Sequence, residues 1–243
     1  MAVRALILDV DGTLAETEEL HRIAFNRTFE EAGLDWVWDR ELYRELLAVT
    51  GGRERIRFHA ERIGAQDIDV GALHRRKTDI YGASMRPGNV TLRPGVEALL
   101  RRARAAGLDL AIGTTTSRTN VGALMQATLG ADALSWFRSV RTGEDTPRKK
   151  PDPEVYRLVL ADLGFPPEDC LVFEDSANGL RAAKAAGAPT VITPSIYTAE
   201  DDFAGADYIF KNLDEPFSML TFAPGFAFHD VPPDVRDLLF HGQ

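Results

Sequence analysis

The sequence predicts an α/β protein, a parallel sheet core with a helical cap inserted after its first strand. Three observations carry this expectation. Residues 3–10 form an apolar run ending in acid, as a buried parallel strand does. Residues 39–85 place apolar side chains three and four apart with charges between them, and give no strand signal. From about Arg93 onward, short apolar runs alternate with helical periodicity, the pattern of a parallel sheet with crossover helices.

Gly12 and Thr13 break the first run. Leu20, Ala24, Phe25, Thr28, Phe29 and Ala32 then recur at helical spacing until Gly33 closes the helix. Helical segments 41–49, 53–64 and 70–85 complete the cap. The core resumes with a helix that has Pro94 near its start and Gly107 past its end. A strand over 108–113 follows, with a polar turn, and helices over 117–130 and 151–164. A strand over 170–176 ends in acids, a helix covers 177–187, and strands fall at 188–195 and 206–210. The segment from about Glu215 to Gln243 has weak periodicity and reads only as a packed tail.

With 243 residues, 44% of them apolar, the chain suits one large domain or two small ones. No run of about 18 apolar residues occurs, so no membrane span is expected. The opening residues turn acidic too soon for a secretory leader, and no transit peptide is expected. The lone cysteine, Cys170, cannot form an internal disulfide, which fits a reducing cytosol. A net charge of −9 argues against a general nucleic-acid binder. It leaves room for a small phosphorylated ligand, which needs only a few local cations or a bound metal. A cytoplasmic monomer with no nucleic-acid or membrane partner is the expectation.

The chemistry concentrates at strand ends, where open α/β sheets bind ligands. Asp9 and Asp11 lie two apart at the end of the first strand, so near-strand geometry points both carboxylates one way. A divalent cation would relieve their repulsion. Asp9 could then attack phosphorus while Asp11 protonates the leaving oxygen and later activates water. A plain Asp-Gly turn is the other explanation. Thr114 ends the next strand and can hold a phosphoryl oxygen, or else belongs to the start of a helix. Lys150 could neutralise the phosphoryl group, or belong to a solvated patch with Arg148 and Lys149. Glu174 and Asp175 are metal-ligand candidates, or a capping pair. The order acid pair, hydroxyl, lysine, acid pair at one end of one sheet favours the catalytic set.

These residues resemble the haloacid dehalogenase superfamily, through DVDGTL at 9–14, IGTT at 112–115, KKPDP at 149–153 and VFEDSANGL at 172–180. The resemblance implies a three-layer Rossmann-like core over 1–16 and 90–243 with a four-helix cap of the C1 type over 17–89. It implies Asp9 as nucleophile, Asp11 as general acid/base, and Thr114 and Lys150 as phosphoryl partners. Asp9, the Asp11 main-chain carbonyl and Asp175 would hold Mg2+, with Glu174 beside them. DVDGTLAETEELHRIAFN, TGGRERI, the lysine of RRKTDIY, TTTSRTNV and EDSANGLRAAKAAG resemble more closely the CbbY-type phosphatases, which act on xylulose 1,5-bisphosphate.

A cap of this kind must supply polar groups that read the substrate. Glu16, Thr17 and His21 follow the nucleophile, with Thr17 and His21 four apart on one helical face. Thr50, Gly51, Gly52 and Arg53 form a helix-breaking loop with free amides, and Arg53 and Arg55 could grip a phosphate. The resemblance selects Lys77 as the inward-facing residue among Arg75, Arg76 and Lys77. Thr115, Thr116, Ser117 and Arg118 open a helix, where a second, non-transferring phosphate could sit; a capping serine and a surface arginine explain Ser117 and Arg118 equally well. Trp36 and Trp38 read as packing. A β-phosphoglucomutase-like isomerase, a phosphoglycolate or other sugar-phosphate phosphatase, and a non-enzymatic binding protein are the competing readings.

Overall fold

The computed structural model describes residues 3–86 and 88–214. The expected tail over 215–243 lies outside the described residues. Six parallel strands form one sheet: β1 Ala5–Leu8, β2 Asp109–Gly113, β3 Phe137–Arg141, β4 Cys170–Glu174, β5 Thr190–Ile192 and β6 Tyr208–Ile209. Their spatial order is β3-β2-β1-β4-β5-β6. The chain therefore winds one way from β1 and the other way from β4, and the switch point lies between those strands. Ligand crevices form at such points.

Alternation along β1 explains the layers. Leu6 and Leu8 face an apolar cluster with Leu99, Leu100, Val121 and Leu124, from α5 (Val96–Ala105) and α6 (Arg118–Thr128). Ala5 and Ile7 face the opposite cluster, with Val155, Val159 and Leu163 of α7 (Glu154–Leu163) and Ala182 and Ala183 of α8 (Ala177–Ala185). All four β1 residues are fully buried, as expected of a central parallel strand.

Between β1 and β2 run α1 (Glu18–Glu31), α2 (Arg40–Leu46), α3 (Gly52–Arg62) and α4 (Val70–Ser84). They share a separate apolar cluster with Phe25, Phe29, Trp36, Trp38, Tyr43 and Leu46. Trp36 and Trp38 pack there as expected. The chain leaves and re-enters the sheet side by side, through an antiparallel bridge between Ala15 and Leu92.

β3 corrects the expected strand set, which has no strand over 137–141. It is an edge strand of sequence FRSVR. Among the described residues its outer edge has no paired strand, so Arg138 and Arg141 interrupt the apolar signal, a usual protection of sheet edges. Cys170 is buried at the start of β4, and burial pushes its thiol up to about 11. Among the described residues no helix is long and apolar enough to cross a membrane.

Candidate active site

Asp9 follows β1, Thr114 follows β2, Lys150 precedes α7, and Glu174 and Asp175 end and follow β4. All five are buried. Lys150 Nζ donates to Asp9 Oδ1 at 2.5 Å, to Glu174 Oε1 at 2.6 Å and to the Gly113 carbonyl at 3.0 Å. Tyr156 adds a fourth contact, donating to Glu174 Oε1 at 2.5 Å. Burial raises the Asp9 carboxyl to about 7 against the pull of Lys150. Burial and the nearby Glu174 and Asp9 charges raise Asp175 well above the carboxylate range. Burial alone would lower Lys150, but Asp9 and Glu174 hold its ammonium protonated.

One lysine cannot neutralise three buried acids, so this centre calls for another cation. Asp9, Glu174 and Asp175 each offer an oxygen, and these lie within 4.8 Å of one another. An all-oxygen set of this kind suits a hard divalent ion. The backbone is shaped around it. Gly12 has φ of +83°, and a Cβ there would lie 2.1 Å from Asp175 Oδ2. A Cβ on Gly179 would lie 2.0 Å from the Glu174 carboxyl carbon.

Asp11 faces the helical insert. Its Oδ1 accepts from Thr17 Oγ1 at 2.6 Å and from the Tyr81 hydroxyl at 3.2 Å, and lies 3.0 Å from His21 Nε2. Burial works against ionisation, but His21, Thr17 and Lys77 together hold this carboxyl well below the usual range. His21 Nδ1 meets Lys77 Nζ, and the imidazole stacks on Tyr81 at 3.8 Å. Burial pulls Lys77 down to about 7.

A cavity of about 770 Å³ joins these groups. Asp9, Asp11, His21, Lys77, Thr114 and Lys150 line it, as do Glu174 and Asp175. So do Thr50, Gly51, Gly52, Arg53 and Arg55 from the insert, and Thr115, Thr116 and Ser117 from the core. Ser117 also caps α6, accepting from the Asn120 amide at 3.1 Å, so both readings of this residue hold together. Arg55 is buried against the Tyr43 ring and donates to the Tyr43 hydroxyl and the Leu46 carbonyl.

Two expected residues stand elsewhere. Arg118 turns away from the cavity, donating to Asp145 Oδ2 at 3.1 Å and the Val140 carbonyl at 3.0 Å. Glu16 pairs at 3.2 Å with Arg93, beside the paired linkers, instead of lining the cavity. In both cases a nearer opposite charge captures the side chain, which spacing alone does not reveal.

Several further residues contribute to the site. Tyr81 stands four residues after Lys77, a spacing that could have flagged it. Asn178 donates to Thr50 Oγ1 at 3.0 Å and to the Ala48 carbonyl at 3.1 Å, joining the core to the insert. Glu18, His74, Lys149 and Arg181 also line the cavity, with no pattern in the sequence to select them.

The family model described as haloacid dehalogenase-like hydrolase matches residues 3–187. Protein CbbY of Rhodobacter capsulatus is 51% identical over 215 residues, covering 88% of this chain and 95% of that protein. Phosphoglycolate phosphatase of Salmonella typhimurium is 30% identical over 206 residues, covering 78% of this chain and 80% of its own. A crystal structure of mutant CbbY from Rhodobacter sphaeroides in complex with xylulose-(1,5)bisphosphate superposes with a TM-score of 0.83. It is 47% identical and covers 88% of this chain and 96% of that one.

Proposed function

The chain belongs to the haloacid dehalogenase-like hydrolases, and from that premise we propose that it removes one phosphate from a sugar bisphosphate, xylulose 1,5-bisphosphate, with Mg2+ as cofactor. The observation that carries this reading is the shared cavity: Asp9 and Asp11 open onto the same space as Lys150, Thr114 and a set of further cations. Among those cations, Lys149 directs its ammonium to the Gly143 and Thr146 main-chain carbonyls, and Arg181 donates to Asn178 Oδ1. Their charges thus remain available to a second phosphate.

A carboxylate oxygen of Asp9 attacks phosphorus and forms an aspartyl phosphate while the phosphorus–oxygen bond to the sugar breaks. Asp11, a carboxylate held by His21, Thr17 and Lys77, relays a proton from the His21–Lys77 pair beside it to the departing sugar oxygen. Its partners gather on Oδ1, so Oδ2 is the oxygen left for this transfer. Water then attacks the same phosphorus, Asp11 takes its proton and returns it to the His21–Lys77 pair, and inorganic phosphate leaves with the Asp9 carboxylate restored. Lys150 and Thr114 hold the non-bridging oxygens throughout. Asp9, Asp175 and the Asp11 carbonyl, with Glu174 alongside, would hold Mg2+, which would supply positive charge to the phosphoryl oxygens and to the buried acids. Residues 17–89 act as a lid over the described part of the core, 3–16 and 90–214, excluding water.

A panel of phosphorylated sugars and phosphoglycolate, compared by kcat/KM with phosphate release measured, tests this reading. Xylulose 1,5-bisphosphate is expected to lead. Dominance of a monophosphate, or isomerisation without phosphate release, would overturn the assignment.

The acids also predict how Mg2+ acts on stability. The folded-state pKa of Asp9 is raised from 3.8 to about 7. The folded protein therefore holds an extra proton between those values, and the stability of the metal-free protein falls as pH rises through that window. Asp175 pulls the same way. Mg2+ competes with those protons. Saturating Mg2+ is expected to raise Tm by about 5–10 °C at pH 8 and by clearly less at pH 5.5. Thermal melts with and without Mg2+ check this, and equal shifts at both pH values would refute it.

A further inference from the structure

The loop after β5 contains a residue that belongs, by packing, to the helical insert. Tyr197 is 5% exposed and sits in the apolar cluster of α1–α4, whose other buried members all fall between Phe25 and Leu73. Its ring meets the Tyr43 ring edge-on, with centroids 5.5 Å apart. Its hydroxyl donates to Glu19 Oε2 on α1. Glu19 is fixed in turn by Arg22, through Nε at 3.1 Å and a terminal nitrogen at 2.7 Å, and by Arg40 at 3.3 Å. Those donors, Arg22 first, hold the Glu19 carboxyl down to about 2, so it accepts as a full anion. Burial and Glu19 push the Tyr197 phenol up to about 12, so it remains a donor.

The next residue faces the other way. Thr198 is buried, and its hydroxyl donates to the Asp175 carbonyl at 2.7 Å and lies 3.2 Å from Asp175 Oδ2. The Ser195 amide donates to the same hydroxyl at 2.9 Å and so fixes its orientation. Arg93 anchors the start of the loop through the Thr193 carbonyl at 2.6 Å and the Pro194 carbonyl at 2.8 Å. The same guanidinium reaches the Gly12 carbonyl in the nucleophile loop. The loop is short and held at its base, so Tyr197 and Thr198 cannot shift independently.

We infer that Tyr197 is a positioning residue, and that through the loop over 193–198 seating of the helical insert and the set of the metal-binding carboxylate Asp175 form a single equilibrium. Binding at either end then favours the other by the same factor. A lid that is seated presents Asp175 in its ligating position; a lid that lifts withdraws Tyr197 from its aromatic cluster and slackens Thr198. The inference rests on the reading of Asp175 as a Mg2+ ligand.

The test is calorimetric titration with Mg2+ alone, in the wild type, Tyr197→Phe and Glu19→Gln. Tyr197→Phe keeps the ring and removes the hydroxyl. It is expected to weaken Mg2+ binding about five- to tenfold, with KM raised and kcat at saturating Mg2+ within about twofold. Glu19→Gln, which also weakens the ion pairs to Arg22 and Arg40, should give at least as large a shift, and the double variant should be no weaker than the weaker single, because both act through the Tyr197–Glu19 contact. Added Mg2+ should also slow hydrogen exchange in α1 of the wild type and not of Tyr197→Phe. Should Tyr197→Phe fold poorly, Glu19→Gln carries the test alone, since the aromatic packing stays intact. Wild-type Mg2+ affinity in both variants, or fully additive losses, would overturn the coupling. Absence of Mg2+ binding in the wild type itself would instead bring down the metal reading beneath it, and the coupling with it.

Discussion

Asp9→Asn is expected to lower kcat by about 10⁴-fold or more while leaving the fold intact. An amide oxygen is a poor nucleophile toward phosphorus, and no other described side chain holds the place of Asp9 at the end of β1. The replacement is close to isosteric. Lys150 keeps Glu174 at 2.6 Å and the Gly113 carbonyl at 3.0 Å, so its charge does not become unpaired. The variant should therefore melt cooperatively near the wild-type temperature and still bind the sugar bisphosphate. Phosphate release under saturating substrate and Mg2+ is the measurement. Activity within tenfold of wild type would remove Asp9 from the centre of the mechanism.

The second large effect is on stability as well as rate. Lys150→Met is expected to destabilise the metal-free protein by about 3–5 kcal/mol at pH 8, because removing one partner of a buried pair strands the other charges. Here two acids are stranded: Asp9 and Glu174 would lose the one buried cation they share, with Asp175 close beside them. The loss should shrink at pH 5.5, where Asp9 and Asp175 hold protons more readily, and Mg2+ should recover part of it at pH 8. Turnover should stay at least about 10²-fold down even with Mg2+, since the ion cannot replace an ammonium held at the transferring phosphoryl group. Denaturant unfolding with and without Mg2+ measures the first effect. A loss under 1 kcal/mol at pH 8 would mean that the acids are neutral or hydrated in the folded protein.

Much of this centre was legible in the sequence because chemistry and topology coincide there. Asp9, Thr114, Glu174 and Asp175 end apolar runs, so recognising the strands already placed them together. Lys150 was legible only through its place in the order of motifs, since Lys149 beside it has the same local appearance. What remained hidden depends on competition between partners. Arg118 stands at a helix start facing the right end of the sheet, yet Asp145 and the Val140 carbonyl capture it. Glu16 follows the nucleophile loop, yet Arg93 takes it. β3 was hidden because an edge strand needs only one well-covered face, and its arginines blur the apolar run. Tyr197 was hidden because its packing partners lie more than a hundred residues earlier, in a different layer.

The central position of β1 also sets the order of events during synthesis. Ala5 pairs with Asp109 on one side and with Cys170 on the other. β1, which leads into Asp9, is thus the first of the six strands to be synthesised, and it lacks its second neighbour until β4 has been made. At about 5–20 residues per second, it waits roughly ten to thirty seconds for β4. The helical insert, whose own contacts are mostly local, has time to fold in that interval. Glu174 and Asp175 arrive with β4 itself, so the growing chain cannot gather Asp9, Glu174 and Asp175 before β4 has joined β1.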